Sequence, residues 1–167
     1  KFIWKKVCVN ATVNTVCAVL RLKIGEVEAD PFGQWLFHSV IRETCAVATA
    51  KGVPMDADEF IAHDHKDIVT NIADYYPSMC QDMLFNHRQT EIDVLNGKIA
   101  EYGEQLGIDT PVCKVLSQVV RCIQGNYDKQ YLLRRQPHEN RNDRLRRCWQ
   151  RLCRLPAQGR RRALARR

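Results

Sequence analysis

Apolar and polar positions alternate along this chain with helical spacing. The first segment, from about Phe2 to Leu22, repeats Val7, Val9, Val13 and Val16 among polar residues and closes before Gly25. Asp30-Pro31 reads as an N-cap followed by proline at the first helical position. The helix it opens runs through Trp35, Val40 and Val47 to Lys51, with Gly52 as its C′ residue. Asp56 starts a third helix through Phe60, Ile61 and Ile68, and Pro77 interrupts the pattern just before Ser78. Thr90 is placed to cap a helix with the stripe Ile92, Leu95, Ile99, Tyr102 and Leu106, which Gly107 stops. Thr110-Pro111 opens the next, carrying Val112, Val115, Leu116, Val119, Val120 and Ile123. No strand alternation competes, so the expected body is all-α, with five or six packed helices.

One polar stripe interrupts this apolar pattern. Lys6, Asn10 and Asn14 stand four residues apart, on one helical face over about 12 Å. An ammonium can protonate a carbonyl, and amides beside it can hold a carboxylate or hydroxyl. Polar groups among valines are costly unless something binds them, so the stripe is a candidate site. Each residue also has a plainer reading. Lys6 alone reads as a solvated lysine, like Lys5, and the asparagines as amides bonded within the helix packing. Ser78 reads as a cap after Pro77, and Glu91 as a helix-start charge.

The motifs taken together resemble ketopantoate reductase, in its all-helical C-terminal half. The pieces are residues 4–14 (Trp-Lys-Lys-Val-Cys-Val-Asn-Ala-Thr-Val-Asn), Gly25-Glu26, Ser78-Met79-Cys80-Gln81-Asp82, Arg88-Gln89-Thr90-Glu91-Ile92-Asp93, Asn96-Gly97 and Gly107-Ile108-Asp109-Thr110-Pro111-Val112. The resemblance covers roughly the first 125 residues and implies a fold like the C-terminal domain of 6-phosphogluconate dehydrogenase. It implies NADPH-dependent reduction of ketopantoate to pantoate, with Lys6 as proton donor and Lys6, Asn10, Asn14 and Ser78 as substrate-binding residues. Glu91 would lie near the cofactor. Ile24 departs from an asparagine that some members carry before Gly-Glu, which leaves another small 2-keto acid open as substrate. No Gly-x-Gly-x-x-Gly follows a strand, so the Rossmann domain that binds the cofactor is expected to be absent and the chain inactive without it. The expected partners are that domain and a second copy of the chain.

Composition changes the picture at the C-terminal end. The net charge of +7 is segregated: residues 1–128 carry 12 basic against 17 acidic side chains, and residues 129–167 carry 14 against 2. An acidic body with a basic extension is not a uniformly basic nucleic-acid binder. The expected division is therefore a catalytic domain at 1–128 and an Arg-rich tail at 129–167. The tail is either a disordered or out-of-frame extension or, through Leu145, Cys148, Trp149 and Leu152, a cationic amphipathic helix for polyanions. The cysteines at 8, 17, 45, 80, 113, 122, 148 and 153 show no zinc spacing. Five of them (8, 17, 45, 113 and 122) fall in apolar helical patterns, as small hydrophobes. The histidines show no ligand constellation, and His63-Asp64-His65 reads as a solvated helix face because residues two apart do not face together. No metal and no membrane span are expected, and the setting is a reducing cytoplasm.

Overall fold

A computed structural model describes residues 2–130, and these are helical with no strand among them. The tail expected at 129–167 lies, from residue 131 on, outside the described residues. The first rod joins α1 (Phe2–Val9), a π turn (Asn10–Asn14) and α2 (Thr15–Leu20). It stops at Arg21, whose left-handed backbone (φ 59°) no helix continues. A short helix that the hydrophobic pattern does not announce follows, α3 (Ile24–Ala29). Lys23 N–H donates to the Glu26 carboxylate at its start, and Ile24 and Val27 are fully buried.

Asp30 ends α3 and caps α4 (Pro31–Ala50) as its sequence predicts, its carboxylate accepting from Phe32 N at 2.9 Å and Gly33 N at 3.0 Å. Gly33 has to be glycine, because a Cβ there would run into the Val27 carbonyl of α3. α4 is the central rod. It buries Phe37, Val40, Ile41 and Val47 completely, each worth about 1.5–3 kcal/mol, and packs against α1 and α3 as well as later helices. Asp56 caps α5 (Ala57–Phe60), which runs through a second π turn (Ile61–His65) into α6 (Lys66–Ile72).

The chain then crosses Pro77 into α7 (Ser78–Gln81) and a third π turn (Asp82–Asn86). Residues 90–95 differ from the expected helix. Residues 91–95 form a bend and turns, Thr90 has no regular structure, and α8 (Asn96–Leu106) begins only at Asn96. The apolar spacing there is real, since Ile92 and Leu95 are buried, but a turn can also place such residues inward. α9 (Pro111–Gln124) starts where expected. Its cap comes from elsewhere, because Glu43 of α4 accepts from Val112 N and Cys113 N, both at 2.8 Å. A carboxylate against two free N–H groups and the positive end of a helix is favourable.

The main core gathers Val16, Cys17, Ile24, Val27, Phe37, Ile92, Ile99 and Val120, while Cys8, Ile41, Cys45, Ala48, Met55 and Phe60 form a second cluster. Cys8, Cys17, Cys45, Cys80 and Cys113 are buried free thiols, as small hydrophobes should be; Cys122 is exposed, against expectation. Burial pushes the Cys17 thiol up to about 12, so it stays protonated and inert.

Candidate functional site

The polar stripe begins in the last turn of α1, where Lys6 is exposed. Asn10 and Asn14 are half-buried and occupy the two ends of the π turn. An α-helix would rotate residues four apart by about 40° around its axis. The wider π turn offsets that drift, and such turns recur at functional sites. Lys6, Asn10 and Asn14 thus follow one another along a single rod whose pitch widens from the second of them on.

Two contacts hold this turn against the rest of the fold. Asn14 Nδ2 donates to Ser78 Oγ at 3.3 Å, joining the stripe to α7. Ser78 makes no cap bond in α7; its exposed hydroxyl faces the asparagine instead. The rest of its motif is scaffold. Met79 and Cys80 are buried, Gln81 Nε2 donates to Tyr76 O at 2.9 Å, and Asp82 pairs with Arg88. The second contact is Asn96, whose place in an Asn-Gly motif does not announce a structural role. It is fully buried, its Nδ2 donating to Ala11 O at 3.1 Å and its Oδ1 accepting from Thr15 Oγ1 at 2.7 Å. Ala11 lies inside the π turn, where backbone carbonyls are displaced from their α-helical partners. A buried amide satisfying one is the kind of partner such a turn needs.

Asn96 also ties the segment that follows Glu91 to the first rod. That segment is held at its other end by Thr90, whose N–H and hydroxyl both donate to Gln124 Oε1, at 3.1 and 2.9 Å. Glu91 itself is exposed and stands in a bend, not in the first turn of a helix. Among the described residues its carboxylate makes no hydrogen bond to Lys6, Asn10, Asn14 or Ser78, so the geometry joins Asn14 and Ser78 directly and does not join Glu91 to them.

The neighbouring lysine behaves differently from expectation. Lys5 Nζ is 2.8 Å from Asp64 Oδ2, and this bond raises its pKa by favouring the charged form. Among the described residues Lys6 belongs to no ion pair. One ammonium is tied down, while the other is exposed on the rod that also carries the Asn10 and Asn14 amides. Such a set can donate to a carboxylate and a carbonyl oxygen at once.

The histidines also differ from expectation. His63 is exposed, as a solvated face requires, but His65 is buried and 3.0 Å from Glu28 Oε2. With His38 these form a group of ligand-type atoms within 4.8 Å of one another. Their sequence separation leaves no metal-binding spacing to read.

Comparison with known proteins gives consistent findings. The family model for the C-terminal part of ketopantoate reductase (PanE/ApbA) matches residues 1–124. A 2-dehydropantoate 2-reductase of Streptococcus pyogenes serotype M3 is 42% identical over 118 residues, 71% of this chain and 38% of that protein. One from Archaeoglobus fulgidus is 34% identical over 123 residues, 74% of this chain and 40% of that protein. The chain thus spans about two fifths of the length of these curated relatives. A solved ketopantoate reductase from Ralstonia eutropha JMP134 is 30% identical with a TM-score of 0.69, over 76% of this chain and 42% of that one. A solved D-mandelate dehydrogenase, in ternary complex with NADH and anilino(oxo)acetate, is 32% identical with a TM-score of 0.70, over 77% of this chain and 41% of that one.

Proposed function

The chain belongs to the ketopantoate reductase family, as its helical C-terminal part, and from that premise we propose that it forms the substrate side of a 2-dehydropantoate 2-reductase. The family's enzymes are oxidoreductases, and the relatives reported above carry that activity in their names. The proposed reaction reduces ketopantoate to pantoate, on the route to pantothenate. Residues 1–128 are the substrate domain in this reading and 129–167 an extension outside it. NADPH would be bound mainly by an N-terminal nucleotide-binding domain, and the chain is inactive without it. A cytoplasmic setting and pairing with a second copy belong to the same proposal.

When bound, the reduced nicotinamide supplies the hydride. Negative charge then develops on the ketone oxygen, and Lys6 stabilises it and donates the proton. Asn10 and Asn14 orient the substrate's hydroxyl and carboxylate, and Ser78 extends this wall. Glu91 would accept a hydrogen bond from the cofactor side when the cofactor is bound. The observation that carries the reading is the Asn14–Ser78 hydrogen bond, because it unites two motifs 64 residues apart and Asn14 stands on the rod that also bears Lys6.

The test joins this chain to a nucleotide-binding domain from a relative and follows ketopantoate reduction with NADPH and with NADH. Lys6→Ala is expected to lower kcat by about 10²–10⁴-fold with the fold intact. Equal turnover without Lys6 would remove it from the mechanism. A panel of 2-keto acids decides a second reading, favoured by Ile24 and by the likeness to D-mandelate dehydrogenase, in which the substrate is another small 2-keto acid.

A further inference from the structure

Three ligand-type side chains, none of them assigned above to substrate or cofactor, converge from separate helical runs. Glu28 lies on α3, His38 on α4, and His65 is the last residue of the second π turn. One ligand atom from each lies within 4.8 Å of the other two. Glu28 Oε2 and His65 Nε2 are 3.0 Å apart. His38 Nε2 is buried and makes no hydrogen bond, an uncommon and costly state for an imidazole nitrogen.

We propose that Glu28, His38 and His65 bind a divalent transition-metal ion, with Zn²⁺ the best match and water completing the fourth position. Zinc takes imidazole nitrogen and carboxylate oxygen at about 2.0–2.2 Å, so the edges of its tetrahedron are about 3.3 Å. The Glu28–His65 edge is already near that length. The remaining edges need to shorten by at most about 1.5 Å, within the range of a rotation of the half-buried His38 side chain. Two imidazoles and one carboxylate suit zinc, cobalt or nickel better than calcium or magnesium, which prefer all-oxygen shells.

The surroundings favour such a site. Gln34 Nε2 donates to Glu28 Oε1 at 3.0 Å, fixing the carboxylate while its other oxygen faces His65. Phe37 packs edge-on against the His65 ring, with centroids 5.1 Å apart, and holds its orientation. The Glu28 side chain keeps 25% of its surface exposed, which leaves an entry path. Binding converts the Glu28–His65 hydrogen bond into two bonds to one ion, releasing to solvent any proton held on the ligand atoms. It gives His38 Nε2 its missing partner and ties α3, α4 and the α5–α6 run together.

The experiment uses the full chain with its thiols kept reduced. Zn²⁺ is titrated by calorimetry, and Co²⁺ serves as a spectroscopic stand-in for tetrahedral coordination. We expect one tight site per chain that raises the thermal midpoint. His38→Ala and Glu28→Gln should each weaken it by about 100-fold or more, and Gln34→Ala by about 10-fold. His65 is buried and its replacement threatens the fold, so the two partly exposed ligands carry the test. Absence of zinc binding, undiminished binding in both variants, or a Co²⁺ complex with thiolate charge-transfer absorption would each overturn the proposal. None of these outcomes depends on Lys6 or on reductase turnover.

Discussion

Asn96 is a buried carboxamide that makes no contact with substrate in the proposed mechanism, yet it anchors the turn on which the site is built. Replacing it with Ala removes the bonds that the Ala11 carbonyl and the Thr15 hydroxyl make to its amide in the buried interior. The expected cost is about 2–4 kcal/mol, measured by urea unfolding. Ser78→Ala contrasts with it, since the side chain is exposed. Stability should hold within about 0.5 kcal/mol, while KM for ketopantoate rises in the joined enzyme. The site candidates Lys6, Asn10, Asn14 and Ser78 are legible in the sequence because motif and spacing are local. Asn96 as an anchor is not, because its two bonds span 81 and 85 residues and leave no periodic trace. Lys5 misleads for the same reason, its partner Asp64 being 59 residues away.

At the scale of elements, caps and close approaches explain where the helices stop and meet. Glu43 caps α9 from α4, a role no neighbouring residue announces. Glu43→Gln keeps the shape but loses the charge facing two N–H groups, and is expected to destabilise by about 1–2 kcal/mol. Thermal unfolding checks it; an unchanged midpoint would mean the cap is idle. Gly33→Ala puts a methyl group into the Val27 carbonyl, so α3 and α4 must separate, at an expected cost of about 1–3 kcal/mol. Helix starts at Pro31, Ala57 and Pro111 follow from capping chemistry and proline. The turns at 92–95 and the helix α3 do not, because a short buried segment carries too few residues to reveal a period. The π turns are equally silent, since each is a single short turn whose inserted residue is too brief a disturbance to read against an irregular apolar pattern.

Across the body of the chain, two buried clusters share one set of rods. Ile99 belongs to the main cluster and Phe60 to the second, with no buried residue in common. Ile99→Ala and Phe60→Ala are each expected to cost about 2–5 kcal/mol. In combination they should add within about 0.5 kcal/mol, which a double-mutant cycle of denaturant unfolding measures; strong coupling would mean a single continuous core. The sequence by itself determined the helical class, most helix starts, the polar stripe and the family, because each is carried by neighbouring residues or by a motif in fixed register. Only the tertiary structure decided that Asn14 meets Ser78, that Asn96 anchors a π turn, that Glu43 caps a distant helix, and that Glu28, His38 and His65 converge. Those are pairings between helices. They depend on how the rods cross and rotate, which buried surfaces settle together and no single stretch of residues encodes.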